Sequence, residues 1–273
     1  MLTAPLLTTP VLTAAVRGVS VWGPGLSGWG EARATLAGER PYAPAPVALP
    51  APDILSATER RRAGRVTRLA LAAAAEAAAA SGLSASGLRT VFGSGNGDPV
   101  TVTAILQTLS QADGAVSPTQ FHNSVHNAAA GYWSIGHGSA QPAISLGCFD
   151  STWAASLLAA MAEVRAAQAP VLLVAYDVEM PAPLSTVRDT PAAFGAALVL
   201  APALAPEADA AQLSVRHEPE PGETLPADPA LHALFRANPA ARALPVLEHL
   251  AARRSGEVLS GYLDGHLHIS VRC

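Results

Sequence analysis

Residues 145–156 read SLGCFDSTWAAS, and five of those positions, 148–152, hold a thiol, a carboxylate and two hydroxyls: Cys148, Asp150, Ser151 and Thr152. A thiol at a helix start can act as a nucleophile, because the helix N-terminus lowers its pKa and favours the reactive thiolate. A cysteine at such a turn can equally be a small buried hydrophobe. Asp150 and Ser151 could be joined to a distant histidine as a hydrolase triad, but the nucleophile elbow GxSxG is missing.

Three further groups of residues bear on chemistry. GSGNGD (93–98) lies between an apolar stretch and a helical one, the setting of a phosphate-cradling loop. It lacks the third glycine of GxGxxG and has no GK[ST], so a tight structural turn is the better reading. His122 and His126 are four apart and share a helix face, without the carboxylate of HExxH. His266 and His268 alternate in the last apolar stretch. The two cysteines, Cys148 and Cys273, form no CxxC and no disulfide framework. Neither a metal nor a cofactor is expected.

The elements that must position these residues are legible in outline. Apolar runs at Val16–Trp22, Arg89–Phe92, Pro142–Leu146, Pro170–Tyr176 and Ala193–Leu200 predict strands. Helices are predicted from Ser56, with Ser56 and Glu59 as a capping box, through the alanine-rich stretch to Ala80; over 99–111; and over Thr152–Ala167. The arginines between 60 and 68 read as a solvated face. Alternating strands and helices of these lengths imply a layered α/β protein with a mixed central sheet. Beyond Ala201 the chain is rich in Pro, Glu and Ala, with one strand expected at Gln212–Arg216, a helix over 230–254 and a closing strand at Leu263–Arg272.

The chain has 273 residues, half of them hydrophobic and 14% charged, with a net charge of −4. This composition supports a single domain over 1–273, with 201–273 as a divergent extension packed on it. The charge gives no footprint for nucleic acid. The longest apolar run, Leu69–Ala80, is too short to span a bilayer. The opening MLTAPLLTTPVLTAAVRG has early prolines and no basic n-region, so it is not read as a signal peptide and the expected compartment is the cytoplasm.

The stretch 117–160, SPTQFHNSVHNAAAGYWSIGHGSAQPAISLGCFDSTWAASLLAA, resembles the central part of the β-ketoacyl synthases. Ser117, Pro118, Asn127, Ala130, Gly131, Ile135, Gly138, Pro142, Ile144 and Ser145 fall into the family pattern without a gap. Phe92–Gly97 resembles the family's GSGxG turn, Pro170–Glu179 its GGxE strand, and Phe194–Leu200 the strand beyond. The resemblance covers residues 15–200, the N-terminal half of such enzymes. It implies a thiolase-like α/β/α fold.

Carried over ungapped, the nucleophile position falls on Asp150, with Cys148 in register only if one or two residues are deleted. An aspartate there would cap the following helix but could not hold an acyl chain as a thioester. The HGTGT-type histidine motif and the glycine-rich NxFGFGG loop are missing. The resemblance therefore implies a chain length factor of the type II polyketide or aryl-polyene kind, lacking condensing activity of its own. Its partners would be a full-length β-ketoacyl synthase, in a heterodimer, and an acyl carrier protein bearing the chain. Asn96, Phe121 and Phe149 are the expected pocket residues. Dimerisation would use the strand at Ala143–Leu146 and the helix before it, with Trp133 and Trp153 as anchors. The alternatives are an acyltransferase or hydrolase using Cys148, and a homodimeric scaffold.

Overall fold

The computed structural model describes residues 11–203 and 210–273. Most of the proline-rich opening weighed as a leader, and the middle of APALAPEADA, lie outside the described residues.

In chain order the strands are β1 (Leu12–Gly23), β2 (Leu26–Ser27), β3 (Arg89–Gly93), β4 (Ala143–Leu146), β5 (Val171–Asp177), β6 (Phe194–Pro202), β7 (Gln212–Glu218), β8 (Gly256–Tyr262) and β9 (Gly265–Arg272). The helices are α1 (Trp29–Leu36), α2 (Ala57–Arg62), α3 (Arg65–Ser81), α4 (Pro99–Leu109), α5 (Pro118–Ser124), α6 (Ala128–His137), α7 (Thr152–Ala167), α8 (His232–Ala237) and α9 (Leu244–Ala251). One sheet runs in the order β4-β3-β5-β6-β1-β7-β9-β8, with β2 paired to β1. The β3 pairings with β4 and β5 are parallel and the other pairings antiparallel.

Burial on both faces explains why the central strands are apolar at nearly every position. Along β5, Val171, Leu173 and Ala175 join the core under α7, α8 and α9, while Leu172, Val174 and Tyr176 join the core under α3 and α6. In β7, β8 and β9 the buried apolar side chains alternate (Leu213 and Val215, Val258, then Leu267, Ile269 and Val271), all on the α7–α9 side. The region after Ala201 thus extends the sheet by three strands, where the sequence predicted two. The strand missed, β8, forms a hairpin with β9 closed at Leu263–Asp264.

The predicted N-terminal capping box is present, with Ser56 and Glu59 bonding reciprocally. The helix it starts breaks at Ala63–Gly64, so the expected single helix is two. The helix expected over 230–254 is also broken, because Pro239 and Pro245 each lie at the start of a helical segment. Trp133 and Trp153 are fully buried in opposite cores, so the structure corrects their assignment as dimer anchors: both are internal packing residues.

The two sheet edges differ. The outer side of β8 is covered, with Thr224 N–H donating to Leu259 O at 2.8 Å and Leu259 N–H donating to Thr224 Oγ1 at 2.9 Å. The outer side of β4 pairs with nothing among the described residues.

Candidate functional site

Two turns meet at the carboxyl ends of the parallel strands β3 and β4. The first, Ser94–Gly97, leads from β3 towards α4; the second, Gly147–Ser151, leads from β4 into α7. They pack back to back: a Cβ on Gly95 would lie 3.0 Å from the Phe149 carbonyl oxygen. A larger residue there would be in tight contact with that oxygen, and the two turns would have to give slightly to admit it.

The apex of the second turn is Phe149, which has φ +49°. A left-handed backbone at a residue other than glycine is strained, on the order of 1–2 kcal/mol. Thr152, fully buried, holds it from both sides: Oγ1 accepts from Cys148 N–H at 3.0 Å and donates to Phe149 O at 2.6 Å. A sharp strand-to-helix turn of this kind is where a nucleophile is presented to solvent. Phe149 presents a phenyl ring there, one residue before Asp150.

Arg188, on the connection between β5 and β6, reaches over this apex. Its Cζ lies 3.8 Å from the centroid of the Phe149 ring. Its Nε donates to Asn96 Oδ1 at 2.5 Å and its Nη2 to Asp150 Oδ1 at 2.9 Å. The structure thus joins Asn96, Phe149 and Asp150, three of the residues singled out from sequence, around a fourth that the sequence did not mark. Asp150 does not act as the expected helix cap: its carboxylate faces Arg188, and the residue preceding α7, Ser151, makes no side-chain capping bond. The Cys148 thiol is half-buried and free. Phe121 stands elsewhere, exposed on α5.

Beneath the first turn lies Asp177, fully buried at the end of β5. Its carboxylate accepts from Ser94 Oγ at 2.8 Å, Asn96 N–H at 2.8 Å and Gly95 N–H at 3.1 Å. Burial pushes its pKa up to about 6, opposed by these hydrogen bonds and by the charge of Arg188. The buried Asn238 ties the same layer together, donating to Asp177 O at 3.2 Å and Ala192 O at 2.9 Å. Asn96 Nδ2 donates to Thr190 Oγ1 at 3.1 Å. A charged residue closing the apolar run VLLVAYD was a usable sequence signal for Asp177; Arg188 and Asn238 had none.

No group of three metal-binding side chains occurs among the described residues. The one imidazole bonded to this turn, His126, has Nε2 2.9 Å from Ser94 O. His122, His266 and His268 lie away from it: His122 packs edge-on against Tyr132, and His266 and His268 lie near each other on β9.

A model of the β-ketoacyl synthase N-terminal domain matches residues 34–258. The chain belongs to that family. Solved structures agree in fold. The complex of the ketosynthase ApeO with its chain length factor ApeC from Xenorhabdus doucetiae contains a chain 22% identical, with a TM-score of 0.72 over 95% of this chain and 99% of that one. The ishigamide ketosynthase/chain length factor gives 16% identity and a TM-score of 0.67, covering 95% and 98%. A β-ketoacyl synthase from Burkholderia phymatum STM815 gives 14% and 0.66, covering 97% and 98%. No curated protein matches. For this β-ketoacyl synthase relative, the fold is therefore the thiolase-like α/β/α architecture. No helix among the described residues is long and apolar enough to cross a membrane.

Proposed function

We propose that this chain is a non-condensing, chain-length-factor-type subunit that pairs with an active β-ketoacyl synthase. In that pair it shapes the pocket for a carrier-bound acyl chain of the polyketide or aryl-polyene kind. The observation that carries the reading is Asp150 held by Arg188 next to the Phe149 apex. A condensing enzyme needs a free nucleophile at the strand-to-helix turn, and the position that the family pattern gives it holds Asp150, whose carboxylate is bound by Arg188 beside the Phe149 ring that the same guanidinium covers. Cys148 sits two residues too early, on the strand side. The partner would supply the cysteine and the histidines.

Two surface features support the pairing. The bare edge of β4 offers main-chain donors and acceptors to a second sheet. Exposed apolar side chains concentrate between residues 100 and 149, among them Val100, Leu106, Leu109, Phe121 and Ile135. A cavity of about 610 Å³ lined by Arg60, Arg65 and Arg68 suits the phosphate and acidic surface of a carrier protein. The deciding experiment is co-expression with a candidate synthase and its carrier, with product analysis in the presence and absence of this chain. A shifted product length is expected; an unchanged product spectrum, or a stable homodimer that never captures a synthase, overturns the reading.

A further inference from the structure

Of the four asparagines in the chain, only Asn96 is followed by glycine. Such a pair is chemically fragile. A glycine nitrogen, with no Cβ beside it to block the approach, can attack the side-chain amide carbon of the asparagine before it. The bond from Gly97 N to Asn96 Cγ forms, the Cγ–Nδ2 bond breaks, and Nδ2 leaves as ammonia carrying the proton of the Gly97 N–H. Water then opens the cyclic imide at either carbonyl, which leaves aspartate or isoaspartate in place of Asn96.

The turn has reason to keep both residues. Gly97 has φ +63°, a left-handed backbone that favours glycine. The Asn96 amide accepts from Arg188 Nε at 2.5 Å through Oδ1 and donates to Thr190 Oγ1 at 3.1 Å through Nδ2. An amide supplies an acceptor and a donor together, and an aspartate would lose the donor. The same two bonds oppose the reaction. Attack needs the amide carbon to swing back onto the main chain, within about 3–3.5 Å of the Gly97 nitrogen. Arg188 and Thr190 instead pin both ends of the amide to the β5–β6 connection. Gly97 N–H is itself engaged, donating to Ser94 Oγ at 2.9 Å.

We propose that Asn96 is a latent deamidation site and that Arg188 and Thr190 hold it as an amide. The clamp that joins the two turns thus also sets their chemical lifetime. Conversion would undo this layer. Isoaspartate lengthens the main chain inside a turn whose Gly95, Asn96 and Gly97 N–H groups are all bonded, and aspartate puts a second carboxylate beside the buried Asp177. The chemistry needs only water and no partner, so it stands apart from the subunit reading.

The test follows amide-to-acid conversion at Asn96 by peptide mapping and mass spectrometry of the full-length chain held in warm, mildly alkaline buffer. The folded parent is expected to convert at least about tenfold more slowly than the same chain in denaturant, the equivalent of one neutral hydrogen bond that must break first. Arg188→Ala and Thr190→Val should each recover a large part of that difference. Thr190→Val keeps the shape of the buried threonine and guards against a folding defect in the alanine variant. Asp150→Asn leaves both bonds to Asn96 in place and should keep the parent rate. A folded parent that converts as fast as the denatured chain, or two variants that convert no faster than the parent, overturns the proposal. So does an Asp150→Asn rate that matches Arg188→Ala, since general loosening of the turns would then account for both.

Discussion

Arg188 lies against the ring of Phe149, 3.8 Å from its centroid, and with the same guanidinium holds Asp150 and Asn96. One side chain from the β5–β6 connection therefore fixes the two turns at the ends of β3 and β4 relative to each other. The Asp150 carboxylate is half exposed and the Arg188 side chain only 19% exposed, so the stacked and hydrogen-bonded arginine matters more than the ion pair.

Removing that side chain should loosen both turns. Arg188→Ala is expected to cost about 1–2 kcal/mol, the sum of a partly covered cation–π contact and a hydrogen bond to Asn96. Arg188→Lys should recover little, because an ammonium can neither stack flat nor donate in two directions from one plane. Asp150→Asn should stay within about 0.5 kcal/mol of the parent, as exposed ion pairs usually do. Denaturant unfolding of the three variants checks the order; a lysine variant as stable as the parent would remove the stacking argument.

Asp177 makes a pH-dependent prediction. Its folded pKa of about 6 lies above the ordinary 3.8, so the folded chain binds this proton more tightly than the unfolded chain does. Relative to Asp177→Asn, the parent should gain stability as the pH falls through about 6 and reach its full gain below 3.8; the gain is lost again as the pH rises. At neutral pH the variant faces a different cost. Either orientation of its amide points an NH2 at a donor, Gly95 N–H on one side or Asn96 N–H and Ser94 Oγ–H on the other. That mismatch is worth about 1–3 kcal/mol. Unfolding free energies of both proteins between pH 4 and 8 test the sign, and parallel profiles would refute it.

The β4 edge can be tested without disturbing the sheet. The carbonyls of Pro142 and Leu146 accept from Thr90 and Ser94 N–H on β3, so by the alternation of a parallel ladder the main-chain groups of Ala143 and Ser145 point off the sheet. Ser145→Pro removes only an outward N–H, which edge strands tolerate. The lone chain should unfold within about 1 kcal/mol of the parent, while co-purification with a synthase should fail. Retained pairing would show that the partner binds elsewhere.

Cys148 is expected to carry no chemistry. Cys148→Ala should leave the partner's product spectrum unchanged. An effect lost with Cys148→Ala and kept with Asp150→Ala would restore the nucleophile reading.

Much of this was legible in the residues. β5 announced itself as a continuous apolar run, and a strand buried on both faces needs that composition. The Ser56–Glu59 capping box was visible because capping is local chemistry. What the chain hid was either weakly patterned or distant. The β8 sequence GEVLSGY has two glycines and few apolar residues, so nothing in its periodicity separated it from the helix before it. Arg188 reaches Asp150 across 38 positions and Asn96 across 92, and no local pattern encodes such a reach. The tryptophans misled because large aromatics serve interfaces and cores equally well; Trp133 and Trp153 are both in cores.

The brevity of β4 bears on fidelity. Four residues present few outward main-chain groups, and a backbone ladder looks the same to any incoming strand. If the proposed pairing uses this edge, discrimination among related synthases would have to come from side chains beside it, such as Ile135 on the adjoining α6 and Ile144 and Leu146 on β4 itself. Exchanging those residues between homologous pairs is the route to making two such assemblies mutually blind.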